Sequence, residues 1–488
     1  MKRNNFPTIF ILVVSLLVFS TCKDSFLSEN PKDFLSPTNY YNTEEEASAA
    51  LMAVYAGLRS LYSHNMYFIG DMASEQTNQG EGTNIDRINI NNFQFEPENG
   101  ITTGLWNSSY NNINRANAVI DRVPHISMDA GRRDVIVAEA LFLRAFNYFN
   151  LVRVFGGVPL RLNETTSLAG LGLGRSSVEE VYDSIIGDLI AAEAVLPDRQ
   201  TGVNSGRASK GAAATLLAYV YLTKKDWTNA VSKSQEVIDN ADTYGYDLYD
   251  NYADLWIIEN KNQMEHIFMC QYASGPENVG NHIGHFFMSR QANPIVLGGS
   301  GYGIHLVEDA FWRSFEPNDT RRDASILSSF IHPQTQEVVS YPSDGLTELS
   351  IFKYYDPAPF ARNNNGNNYP ILRYADVLLI NAEARNESAG PDLQVYENIN
   401  KIRRRANLDD LTPGLSQQEF RDAILQERNW EFCFEAKRYF DLMRTETVVP
   451  VMTAAGKNPR PENILFPIPQ REIDINDQLS QEDQNPGY

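Results

Sequence analysis

Cysteine is nearly missing from this chain, with three in 488 residues. Three thiols cannot build a disulfide framework, so a small stapled fold is excluded and stability has to come from packing. Bases are short as well: 41 Lys and Arg face 62 Asp and Glu, leaving a formal charge of −21. A chain so acidic, without an obvious basic patch, repels phosphate backbones, which excludes nucleic acid as a partner. After the first 19 residues no run of 18 uninterrupted apolar residues occurs, so nothing later reads as a membrane-spanning helix. A Gly-rich phosphate motif at a strand–helix junction and a G-x-S-x-G elbow are also lacking. What is plentiful is aromatic: 24 Tyr and 25 Phe, a load from which some rings are free to face ligand instead of core. The length allows about two to four ordinary domains or one large α-rich body.

The amino terminus reads MKRNNFPTIFILVVSLLVFSTC, with Lys2 and Arg3 ahead of an apolar stretch over 6–19. As a helix that stretch spans about 21 Å, short of the roughly 30 Å hydrocarbon core, so it reads as an export signal and not a permanent anchor. Ser20-Thr21-Cys22 resembles the end of a bacterial lipoprotein signal, although Phe19 and Thr21 stand where Leu and Gly or Ala are usual. On that reading 1–21 is removed and Cys22 becomes the lipidated first residue. Several acyl chains there anchor firmly, and 22–43 is the tether of a soluble body. The alternative is an ordinary signal cleaved nearby, with Cys22 incidental.

Helical periodicity starts at 44–62, where Ala47, Leu51, Val54, Tyr55, Leu58 and Tyr62 fall at i, i+3, i+4 spacing behind an Asn42 or Thr43 cap. Further helices are expected at 106–123, 134–155, 177–196, 209–224, 227–240, 306–315, 374–387, 393–406 and 416–444. The small/large alternation of Leu217, Ala218, Tyr221, Ala230, Ser234 and Val237 matches a tetratricopeptide helix hairpin with its turn at Lys225-Asp226, and 374–403 looks like a second. The fold class is therefore mainly α, a tetratricopeptide-like helix-hairpin scaffold with long loop insertions and a few short strands, such as one at 266–272. The loops are 69–104, 276–303 and 333–369, rich in Asn, Gly and Ser yet carrying aromatics. Loops of that length are usually functional or disordered, and the aromatics argue against disorder.

The segment Glu139-Ala-Leu-Phe-Leu-Arg-Ala-Phe-Asn-Tyr-Phe-Asn-Leu-Val-Arg-Val-Phe-Gly-Gly-Val-Pro-Leu160 is similar to the hallmark segment of the SusD/RagB family, nutrient-binding lipoproteins on the outer surface of Bacteroidetes. Pro370-Ile-Leu-Arg-Tyr-Ala-Asp-Val-Leu-Leu379, Asn400-Lys-Ile-Arg403, Glu427-Arg428, Arg438-Tyr-Phe-Asp-Leu442 and the closing Asn485-Pro-Gly-Tyr488 agree with it in order. The resemblance implies one binding domain over 44–488, with N-terminal helices and loops over 44–330 and a signature region from about 331. It also implies tetratricopeptide-like units with the ligand site on loops outside them. A TonB-dependent outer-membrane barrel of the SusC type is the implied partner, over which the protein sits as a lid.

Most of the signature reads as scaffold. Arg144, Arg373, Arg428 and Arg438 lie among apolar helix faces beside Glu139, Asp376, Glu431, Glu435 and Asp441, which points to internal ion pairs. The five tryptophans fall on or beside helical stripes and read as core. Sugar recognition asks for flat apolar faces and planar polar groups, which makes Arg87, Phe93, Phe95, Phe286, Phe287, Tyr302 and Tyr355 the ligand candidates; the alternative is that they pin the loops as small satellite cores. His282-x-x-His285 has no adjacent carboxylate or cysteine and is too small a ligand set for a metal. No acid pair stands out as a glycosidase couple, no cofactor is called for, and Cys270 and Cys433 read as buried thiols. The expected function is capture of a nutrient, an oligosaccharide first and peptide second, at the outer membrane and facing the cell exterior. A lipoprotein glycoside hydrolase and a tetratricopeptide-type peptide-binding scaffold are the alternatives.

Overall fold

The computed structural model describes residues 40–488 apart from 64, 81, 83, 168, 169, 344 and 463; Cys22 and the signal sequence lie outside the described residues, as does the tether up to 39. Helix α1 (Glu44–Tyr62) starts at a capping box in which Thr43 and Glu46 satisfy each other's backbone N–H groups. Helices α2 (Gly100–Arg122), α3 (Ala130–Phe155), α4 (Val178–Glu193), α5 (Lys210–Thr223), α6 (Trp227–Asp239), α7 (Tyr374–Ala389) and α8 (Leu393–Arg405) follow, each packed on the one before it. This is the stacking expected of helix hairpins that cannot bury their apolar faces alone. Ala218 and Ala230 are fully buried where α5 and α6 approach, and Asn381 of α7 donates to Ser234 of α6 at 3.0 Å. The two hairpins recognised in the sequence thus stack directly on one another.

Residues 240–373 leave the scaffold after α6 and return at α7. They carry most of the strands: β2 (His266–Cys270) pairs antiparallel with β8 (Tyr369–Arg373), and β5 (Ser329–Ile331) with β6 (Val338–Ser340). A small antiparallel sheet joins β1 (Thr77–Asn78), β3 (Leu306–Val307), β7 (Leu349–Ile351) and β4 (Ile326–Leu327) in that order. Since β1 comes from the loop between α1 and α2, this sheet ties the first long loop to the insertion.

Two helices expected from the sequence are different in the structure. Residues 306–307 are β3, and the helix is only Asp309–Ser314, because Leu306 and Val307 pair with Ser350 and Leu349 of β7. The expected helix over 416–444 breaks into α9 (Gln417–Glu431) and α10 (Arg438–Arg444). At the break Phe434 and Ala436 take φ of 63° and 53°, and the freed carbonyls of Cys433 and Phe434 accept from Lys353 Nζ (2.8 Å) and Tyr354 O–H (2.9 Å). The backbone at Gly70 runs against this break so closely that a Cβ there would lie 2.5 Å from Ala436. Trp106 and Trp430 are core as expected, whereas Trp227, Trp256 and Trp312 are half-buried. Cys270 and Cys433 are buried free thiols, and burial raises them to about 12 and about 11.

The arginines of the signature are internal ion-pair residues, partly with other partners than sequence proximity suggested. Arg144 grips Asp188 with two 2.7 Å bonds, while Glu139 takes Arg207 (2.6 Å) and Tyr55 O–H (2.5 Å). Arg428 binds Asp441 (2.9 Å), and Arg438 binds Glu75 (2.5 Å). Arg373, fully buried, donates to Glu435 and Glu431 at 2.9 Å and to Glu265. Arg405 bridges Glu265 and Glu431 at 2.6 Å, and Arg321 binds Asp319 (2.7 Å), Glu427 (2.5 Å) and Glu431 (3.2 Å). Lys353 pairs with Glu435 at 2.9 Å. Glu265, Asp319, Arg321 and Lys353 belong to the insertion, while Arg405, Glu427, Glu431 and Glu435 belong to the C-terminal scaffold, so the network clamps one to the other.

Burial pushes the Glu435 carboxyl up, but Arg373, Lys353 and Lys437 together outweigh it and hold it at about 2 against an ordinary 4.5. Its contribution to stability is therefore complete above about pH 4.5 and is lost as pH falls toward 2. The stability gap between the wild type and Glu435→Gln, followed by urea unfolding from pH 7 to pH 2.5, should narrow steadily below pH 4.5. A constant gap would contradict the assignment. The comparison between the two proteins matters because Glu265 and Glu427, raised by burial despite their arginines, act in the opposite sense.

Candidate binding site on the loop insertions

The sequence candidates separate into two groups. Phe93 and Phe95 are 2% and 3% exposed: Phe95 stacks on Phe466 at 4.0 Å and meets the edge of Tyr439. Phe287 has no exposed surface and packs between Tyr67, His305 and Tyr354. These three rings belong to the main core and offer no face to a ligand, contrary to the expectation from sequence that they contact one. Arg87 is half-buried, its guanidinium 5.8 Å from the Phe68 ring centroid, and burial lowers its pKa.

Phe286 and Tyr302 do come together at the surface. Their half-buried rings meet edge to face with centroids 5.0 Å apart, and His282 lies 5.7 Å beyond Phe286. Arg362 covers the other ring, its Cζ 3.8 Å from the Tyr302 centroid, with Nε donating to the Ser300 carbonyl. Among the described residues Arg362 has no carboxylate partner. Asn363 Nδ2 donates to the Tyr302 hydroxyl at 2.8 Å, and Asn363 Oδ1 is buried without a partner. The result is a platform of two rings, one guanidinium and one amide with hydrogen-bonding capacity left over. The first long loop borders it, because Gly80 packs against the carbonyl of Gly303, next to Tyr302.

The platform is fixed from beneath by His285. Its Nδ1 accepts from Asn365 Nδ2 (3.0 Å) and the Asn363 N–H (3.3 Å), which leaves the proton on Nε2 to donate to the Leu297 carbonyl at 3.1 Å. Its carbonyl accepts from the Tyr302 N–H at 2.9 Å. Burial lowers its pKa, in keeping with a neutral strut, and both nitrogens are occupied by protein. Among the described residues no cluster of His, Cys, Asp and Glu has the make-up of a metal site. Gly299 is needed where it stands, since a Cβ would lie 2.7 Å from the Arg362 stem.

Tyr355 lies next door. It stacks on Phe352 (4.9 Å), donates its hydroxyl to the Ile295 carbonyl (2.9 Å), and lines a groove of about 530 Å3 with Trp256, Lys261, Ser274 and Asp356. Ser274 connects groove and platform by accepting from the Phe360 N–H and donating to the Asn364 carbonyl, both at 2.7 Å. Phe360, 62% exposed, stands between them in the chain. Arg362 and Asn363 were missed in the sequence. The one available signal was a single arginine heading the run Asn-Asn-Asn-Gly-Asn-Asn over 363–368.

A second aromatic pair, Trp312 and Tyr341 (5.4 Å), differs in kind. The two arginines over Trp312 are each neutralised, Arg313 by Asp309 and Arg322 by Asp323, and Tyr341 donates to Asp309.

Fold and site together define a helical-repeat scaffold whose inserted loops carry an exposed aromatic–guanidinium platform. Comparison with known proteins gives the particular family. A family model described as "SusD family" matches residues 265–488, and one described as "Starch-binding associating with outer membrane" matches residues 26–222. The chain belongs to the SusD/RagB family. SusD-like protein P2 of Formosa agariphila is 29% identical over 98% of both chains. Among solved structures, a laminarin binding SusD-like protein superposes with a TM-score of 0.79 at 28% identity, covering 92% of this chain and all of that one. A SusD homolog from Bacteroides thetaiotaomicron gives 0.79 at 26%, covering 93% and 98%.

Proposed function

We propose that this protein captures an oligosaccharide on the Phe286–Tyr302–Arg362–Asn363 platform and delivers it to a SusC-type TonB-dependent barrel, anchored to the outer membrane through lipidated Cys22 and facing the cell exterior. The observation that carries the reading is the platform itself: two partly exposed rings flanked by an arginine that has no carboxylate partner among the described residues and an amide whose acceptor is unpaired. Ring faces cover the C–H side of a pyranose, and the planar polar groups take its hydroxyls. The ligand class is supported by a family model described as starch-binding and by a similar structure described as laminarin binding. Capture without hydrolysis fits Asp356, the acid nearest Arg362 in sequence, whose carboxylate accepts from the backbone N–H groups of Ala358 (2.8 Å) and Gly366 (2.7 Å) and so holds the loop.

Incubating the mature protein with a glycan panel tests this reading. The expected result is retention of at least one glycan intact. Released products would indicate a hydrolase, and retention of peptides with no glycan would favour a peptide-binding scaffold. Co-purification of a barrel protein from outer membranes is expected, and its repeated absence would count against delivery.

A further inference from the structure

A cleft of about 330 Å3 opens on the scaffold itself, apart from the loop platform. One wall is α2, which presents Asn107, Tyr110 and Asn111 within a single turn. The facing wall is the helix Gln470–Ile475 near the chain's end, which brings in Glu472, and Arg161 from the turn after α3 closes one end. The walls are preset: the Tyr110 hydroxyl donates to the Pro159 carbonyl (2.7 Å), Arg161 donates to the Leu171 carbonyl (2.5 Å), and Trp106, which also lines the cleft, packs against Tyr110 at 5.0 Å. Two amides remain uncommitted and one carboxylate is only partly served. Asn107 and Asn111 are exposed with no protein hydrogen-bond partner, and Glu472, half-buried, has no basic ion-pair partner among the described residues. Burial raises the Glu472 carboxyl, with the Trp106 indole N–H and then the charge of the neighbouring Arg471 pulling it partly back.

A half-buried carboxylate that makes no direct ion pair is costly unless hydrogen-bond donors supply the compensation. Hydroxyl groups are such donors, two amides can both give and accept, and a tyrosine face suits the C–H side of a sugar ring. We propose that this cleft is a second carbohydrate site, taking one neutral sugar unit with its hydroxyls on Glu472, Asn107 and Asn111 and its C–H face against Tyr110. The cleft shares no residue with the loop platform, so either site can stand if the other falls.

The test is saturation-transfer NMR on the mature protein with methyl glycosides of glucose, galactose, mannose and xylose, supplied one at a time. At least one should bind the wild type and also a Phe286→Ala/Tyr302→Ala variant in which the platform is removed. Asn107→Ala/Asn111→Ala and, separately, Glu472→Gln should each weaken that binding about tenfold, the loss expected for a hydrogen bond to a charged or convergent group. The asparagine pair is exposed on a helix, where alanine is the better helix former, so its loss should not unfold the protein. Three results would overturn the proposal: no binding by any of the four glycosides, binding lost in the platform variant but untouched by the cleft variants, or displacement of the sugar by glycine or diglycine, which would make the cleft an amino-acid site.

Discussion

Replacing Arg373 by methionine should cost the fold about 3–5 kcal/mol, the usual consequence of removing one partner from a buried ionic cluster. Methionine fills much of the stem volume, so the loss reports charge more than packing. It strands Glu265, Glu431 and Glu435 in a region without solvent, served by Arg405, Arg321, Lys353 and, at 3.9 Å from Glu435, Lys437. Urea unfolding at pH 7 measures the change, and Arg404→Met is the control. Arg404 also has two acidic partners, Glu397 and Asp410, but all three side chains are close to half-exposed, so its replacement should leave the unfolding midpoint where it was. Equal effects at the two sites would mean that burial is not what gives the network its weight.

The second large effect is expected at Tyr302. Truncation to alanine removes the ring that Phe286 abuts, Arg362 covers and Asn363 holds by its hydroxyl, so the platform loses its centre. Affinity for any glycan the protein retains should fall about 30-fold or more, which corresponds to roughly 2 kcal/mol and is typical of a central aromatic anchor. The unfolding midpoint should move much less than for a core ring, since Tyr302 is only partly buried at the edge of the core. Phe93→Ala should do the reverse, lowering stability by about 3–5 kcal/mol and leaving affinity unchanged in whatever remains folded. Titration of both variants against the retained glycan, beside their unfolding curves, separates the roles. If Tyr302→Ala binds as tightly as the wild type, the platform is not the site.

The contrast between Tyr302 and Phe93 also shows where the sequence is informative. Helices such as α1, α5 and α6 were legible because an apolar stripe at 3.6-residue spacing has one physical solution, burial against a neighbour, and capping residues mark its ends. The break at 432–437 was not legible. Its local sequence favours helix, and what opens it is Lys353 and Tyr354, some eighty residues earlier, taking the carbonyls of Cys433 and Phe434. Strand β3 was misread for the same reason, its partner β7 being remote in the chain. In the loops, Phe and Tyr in an Asn- and Gly-rich stretch marked the right region, yet no local pattern distinguishes Phe286 from Phe287. At the end of the short helix Ile283–Phe286, its last residue turns its ring toward Tyr302 and the capping Phe287 turns its ring toward the core. Arg362 was invisible because its role depends on Tyr302, sixty residues away.

The contact between α6 and α7 gives the insertion the character of a cassette. Both ends of 240–373 are fixed at one helix–helix contact, so the repeat closes over them whatever length of chain lies between, and the entropy of closing a longer loop grows only slowly with its length. Binding loops of another shape and size fit the same socket on one condition, set by charge and not by length. A replacement must bring acids where Glu265 and Asp319 stand and cations where Arg321, Lys353 and Arg373 stand, or the socket is left with buried charges unmatched.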